Sequence, residues 1–141
     1  MGAVKIRAVD TYFSKCIRER ADWKCERCGA QHKEGSQGLH CSHYWGRGNW
    51  SVRFDKDNCE ALCYGCHQYM GSNPAMHEER IREKLGPYAY EALQERMLSL
   101  KEGRNIKRNE ASVRSHYREE LNKLKERRAK GETGYLDFIG Y

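Results

Sequence analysis

No stretch of this 141-residue chain approaches the roughly 18 consecutive apolar residues that a membrane-spanning helix needs. The opening MGAVKIRAVD lacks the apolar segment of a secretory signal, so the expected setting is the cytoplasm. Proline is scarce, at two residues, and the mean hydropathy is −0.99. With 38% hydrophobic and 33% charged residues, the chain has the makings of one domain with a modest core, and 11% aromatic content argues against general disorder. Disulfides are not expected in a reducing compartment, and seven cysteines cannot all pair. Metal ligation is therefore the first explanation to test.

The net charge of +6 is concentrated. Residues 1–100 carry 15 Lys/Arg against 13 Asp/Glu, whereas residues 101–130 carry 11 against 5. A local cationic excess suits a polyanion such as nucleic acid, because neutralising phosphates releases counterions; a solvated charged helix is the plainer alternative.

Along the chain, Val9, Phe13, Cys16, Ile17 and Arg20 recur at helical spacing behind Asp10, a suitable cap. A polar loop leads to an expected strand over Leu39–Tyr44, a Gly-rich turn WGRGN, and a second strand near Cys59–Leu62. A helix from Tyr64 should stop near Gly71. Helices are expected over Pro74–Leu85, Pro87–Leu100 and about Ile106–Lys130, with breaks at Gly86 and Gly103. Ile106, Val113, Tyr117, Leu121 and Leu124 make an apolar stripe that packs on the chain's own core or on a second copy. The aromatic tail GYLDFIGY is expected to dock as well.

Cys25-Glu26-Arg27-Cys28 and Cys63-Tyr64-Gly65-Cys66 are two C-x-x-C knuckles 34 residues apart. Two such turns supply the four thiolates of a tetrahedral zinc site, and the segment between them must fold back to close it. Cys16 and Cys59 read as small buried apolar residues, while Cys41, two residues before His43, is less settled.

Between the knuckles, His43, then fourteen residues to Asn58 and eight more to His67 resembles the HNH nuclease motif. More closely, FSKCIRERADWKCERCG, CSHYWGRG, VRFDKDN and ALCYGCHQYMGSNP resemble the NinG (Rap) recombination nucleases of lambdoid phages, over about residues 9–125. The resemblance implies an α+β fold: a zinc-stapled ββα-metal core with a helical lead over 1–72, then a basic helical extension over 73–141 that binds DNA and is open to dimerisation. It implies DNA phosphodiester hydrolysis, with His43 as general base, His67 as ligand of a catalytic Mg²⁺ or Mn²⁺, and Asn58 tying the loop across the motif. An imidazole titrating near neutrality suits the base role, and a divalent ion suits the charge that builds on phosphate. HNH enzymes commonly carry Asp or His just before the base, where this chain has Ser42. His67 as sole protein ligand is the favoured arrangement, with His40 or Cys41 reaching in as the alternative.

Arg47 and Arg53 flank the Gly-rich turn and match phosphate geometry, Arg47 being preferred. Trp45 and Trp50 suit either base stacking or packing under the strands. Arg104, Lys107, Arg108, Arg114, Arg118 and Lys123 form the expected DNA track. The implied substrate is branched recombination DNA, cut by a homodimer. A site-specific homing or restriction nuclease and a non-catalytic zinc DNA-binding module are the alternatives.

Overall fold

The computed structural model describes residues 4–141; residues 1–3, the start of the expected 1–72 unit, lie outside the described residues. Helix α1 spans Ala8–Arg20 and begins where the Asp10 carboxylate accepts the Arg7 backbone N–H at 2.8 Å. One side of it buries Val9, Phe13, Cys16 and Ile17. Asp22 and Trp23 then adopt left-handed φ of 55° and 59°, turning the chain into a short bridge between Lys24 and Gln31 that carries the first knuckle.

Strand β1 (Leu39–His43) pairs antiparallel with β2 (Cys59–Cys63), with Leu39 opposite Cys63 and His43 opposite Cys59. Strand alternation sorts the side chains. His43 turns toward Phe13 of α1, and His40 and Glu60, on the other face, meet His67 and Arg80. The connection between the strands holds the short helix α2 (Trp50–Arg53) and a 3₁₀ turn over Lys56–Asn58. Helix α3 (Tyr64–Ser72) follows β2 directly and is succeeded by α4 (Pro74–Leu85), α5 (Pro87–Leu98), α6 (Leu100–Arg108) and α7 (Glu110–Ala129).

Three expectations are corrected. Gly103 does not break a helix; it lies inside α6 where that helix packs on α2, and a Cβ there would stand at ordinary contact distance, 3.5 Å, from the Ser51 backbone nitrogen. The expected helix from Ile106 to Lys130 is two helices, parted at Asn109. The division at 72/73 does not separate two cores, because Val113, Tyr117, Leu121 and Leu124 of α7 share one cluster with Val9, Phe13 and Ile17 of α1. The tail docks as expected. Leu136 and Phe138 enter that cluster, the Leu136 N–H reaches the Arg20 carbonyl at 3.0 Å, and the Tyr141 N–H reaches the Tyr117 hydroxyl at 3.1 Å. No helix among the described residues is long and apolar enough to cross a membrane.

Candidate active site and metal centres

The sulfur atoms of Cys25, Cys28, Cys63 and Cys66 lie within 4.8 Å of one another, a cluster that could hold a structural metal such as zinc. The first knuckle is stitched to β2: the Glu26 N–H donates to the Ala61 carbonyl at 2.8 Å, and the Ala61 N–H donates back to the Glu26 carboxylate at 2.6 Å. Arg80 of α4 grips Glu60 through two nitrogens and reaches the Glu26 carbonyl at 3.0 Å. Burial opposes ionisation of Cys25, but backbone N–H groups of Cys28, Cys63 and Arg27 outweigh it and bring the thiol below its ordinary pKa, toward the thiolate a metal requires.

A cleft of about 630 Å³ runs along β1 between α1 and α3. His40, His43, Arg47 and His67 all line it. His43 sits at the end of β1, with Nε2 3.0 Å from the Arg53 carbonyl oxygen. A carbonyl can only accept, so Nε2 carries the proton and Nδ1 keeps its lone pair. Burial pushes the His43 pKa down to about 4, so the ring is neutral at pH 7.

Asn58 is buried at the other end of the loop and spans it with three bonds: Oδ1 accepts the Trp45 N–H at 2.9 Å, and Nδ2 donates to the Trp45 and Val52 carbonyls at 2.9 and 3.1 Å. The side chain thereby fixes the segment containing Arg53, on whose carbonyl His43 rests.

On the opposite face of β1, His40 Nδ1 stands 2.9 Å from His67 Nδ1. The favoured arrangement, His67 acting alone, thus meets a second imidazole. His40 lies one pleat repeat from Ser42 on the same strand face, the face that meets α3, which is why it reaches His67. The Ser42 hydroxyl is buried without a hydrogen-bond partner. Two imidazole nitrogens at this separation fit a divalent ion with metal–nitrogen distances of about 2.1 Å. A donor set rich in imidazole favours Mn²⁺ and other transition ions over Mg²⁺.

Arg53, expected at the nucleic-acid surface, is instead 2% exposed. It donates to both carboxylate oxygens of Asp10, at 3.0 and 2.6 Å, and to the Lys5 carbonyl at 2.7 Å. Burial would raise the Asp10 carboxyl, but this ion pair and the Arg7 N–H hold it below its ordinary value. Arg53 is therefore an internal strut and cannot reach a DNA backbone. Trp50 is half-buried against the core beneath Arg53 and Arg7, and Trp45 packs on Tyr44 with ring centroids 4.6 Å apart. Arg104, Lys107, Arg108, Arg114, Arg118 and Lys123 are all exposed on α6 and α7, although Lys123 is paired with Glu120 at 3.0 Å and Lys107 lies over Trp50.

A family model described as the bacteriophage lambda NinG protein matches residues 5–129. No curated protein and no solved structure matches the chain.

Proposed function

This chain belongs to the NinG family, and from that membership we propose that it is a metal-dependent DNA endonuclease of the HNH type with a role in phage recombination. In this reading β1, β2 and α3 are the ββα-metal core. One observation carries it: His40, His43, Arg47 and His67, drawn from both faces of β1, line a single cleft along that strand, with the general-base candidate neutral and its unprotonated nitrogen defined.

The mechanism follows from these groups. His43 Nδ1 takes a proton from water as its oxygen attacks phosphorus, while the Arg53 carbonyl holds Nε2–H and fixes the tautomer. The resulting imidazolium is stabilised beside the Asp10 carboxylate, which otherwise neutralises Arg53. Arg47 offers its guanidinium fork to a phosphate oxygen. His40 and His67 would hold a divalent ion, preferably Mn²⁺, which when bound supplies charge stabilisation at phosphate and at the leaving oxygen. The ester P–O bond breaks and the leaving oxygen is protonated from solvent. The exposed cations of α6 and α7 hold the flanking backbone by phosphate contacts that carry no sequence information. Branched recombination DNA is the proposed substrate, and paired cuts in a symmetric junction would call for two copies of the chain.

A plasmid-nicking assay with Mn²⁺ and with Mg²⁺ tests this. Wild type nicks. His43→Ala loses on the order of a hundredfold or more in rate while retaining DNA binding, and His40→Ala and His67→Ala need more Mn²⁺. Equal nicking by wild type and His43→Ala overturns the reading, and DNA binding without nicking under either ion leaves a zinc-stapled binding module. Faster cleavage of a four-way junction than of linear duplex is expected; discrete fragments from linear duplex would instead mark a site-specific nuclease.

A further inference from the structure

The face of the sheet turned toward α1 carries a second cluster that the hydrolytic reading does not use. Cys41 Sγ, Cys59 Sγ and one ring nitrogen of His43 lie within 4.8 Å of one another. They meet because His43 and Cys59 are partners in the strand register and Cys41 lies two residues along the same face. We propose that this trio is a binding site for a thiophilic divalent ion, Zn²⁺ foremost, separate from the four-cysteine cluster, and that filling it silences the nuclease cleft. The second half rests on the reading of His43 as general base.

Two sulfurs and an imidazole are the donors that select zinc over magnesium, and three protein ligands leave a fourth position for water. The site has a way in. Cys41 and His43 line the cleft, with Cys59 buried behind them at 1% exposure. Burial and the neighbouring Cys41 thiol oppose ionisation of Cys59, and Arg20 is the group that works against them. Arg20 is 3% exposed, donates to the Cys59 carbonyl at 2.8 Å and to the Lys56 carbonyl at 3.1 Å, and has no carboxylate within ion-pair distance among the described residues. Its Nε has no hydrogen-bond partner. An uncompensated buried cation beside Cys59 is relieved by negative charge on the sulfurs.

On binding, the ion displaces two thiol protons to solvent, and its two positive charges are balanced by the two thiolates. Either ring nitrogen serves the silencing. At Nδ1 the ion occupies the lone pair that would take a proton from water. At Nε2 it breaks the bond to the Arg53 carbonyl and leaves the remaining proton on Nδ1.

The test loads full-length protein with one equivalent of Zn²⁺ per chain, which the four-thiolate cluster takes first, then adds Co²⁺ and reads the thiolate-to-cobalt charge-transfer absorption. Wild type should develop the band, saturating at one added ion per chain. Cys41→Ser, at a half-buried position that accommodates serine, should fold with an unchanged circular dichroism spectrum and bind at least about tenfold more weakly. His67→Ala should retain the band, which separates this site from the His40–His67 pair. Absence of the band in wild type, or an undiminished band in both Cys41→Ser and Cys41→Ala, overturns the site.

In Mn²⁺-supported nicking, rising free Zn²⁺ should inhibit wild type, and with each protein scaled to its own zinc-free rate, Cys41→Ser should require about tenfold more zinc for half-inhibition. Equal zinc sensitivity overturns the silencing. If wild type does not nick at all, the base assignment to His43 falls, and the cobalt band still decides whether the site exists.

Discussion

The base role proposed for His43 needs a neutral ring at pH 7, and burial, more than a cationic neighbour, keeps it neutral. That arrangement has a stability consequence with a definite sign. The unfolded chain protonates this histidine near pH 6.5, the folded protein only near pH 4, so between those values the unfolded state binds more protons and acid weakens the fold. The loss across the window is on the order of 3 kcal/mol. His67 and His77 are also lowered, chiefly by burial, and act in the same direction. Urea midpoints at pH 7 and pH 4.5 should therefore differ clearly for wild type and less for His43→Gln; an identical difference for both proteins would contradict this role of burial. At this scale the sequence was a partial guide. The spacing of His43, Asn58 and His67 put all three in one motif, whereas His40 stood only beside Cys41 as an alternative to His67 acting alone, and the strand register is what brings it to His67. Arg53 misled because its fate depends on Asp10, 43 positions away, and no local pattern reveals which arginine a buried carboxylate will claim.

The two strands and α3 were readable because the knuckles punctuate them and apolar residues alternate between. Helix α2 was not, since four residues following a Gly-rich turn carry too little periodicity to register. Gly103 was misread for a related reason. Glycine marks both helix ends and close crossings, and only the position of α2 against α6 tells which. The space there predicts a graded response. Gly103→Ala brings a Cβ to ordinary contact distance and removes the backbone entropy of a mid-helix glycine, so it should leave stability unchanged or raise it by up to about 1 kcal/mol. Gly103→Leu should push α6 off Ser51 and lower the thermal midpoint. A destabilised Gly103→Ala variant would show the crossing to be tighter than the contact distance indicates.

For the whole molecule, charge and hydropathy indicated one modest core but not that the basic C-terminal helices would complete it. The sequence stripe on α7 could equally have faced a second chain, and only the tertiary arrangement gives it α1 as partner. The apolar cluster shared by α1 and α7 is one source of stability, and the four cysteines, which could hold a structural metal, offer a second. Chelating the knuckle metal should speed amide hydrogen exchange over residues 24–31 and 59–66 while α1 and α7 stay protected by Phe13, Ile17, Tyr117 and Leu121. Simultaneous loss of protection in all of them would make the sulfur cluster the keystone of the entire fold. The docking of the tail has its own bearing on biosynthesis. Leu136 and Phe138 seal the side of α1 and α7, so the hydrophobic interior stays open until translation has carried those residues clear of the ribosome. Both knuckles are synthesised much earlier, so the cluster that could hold a metal can assemble before the last seam closes.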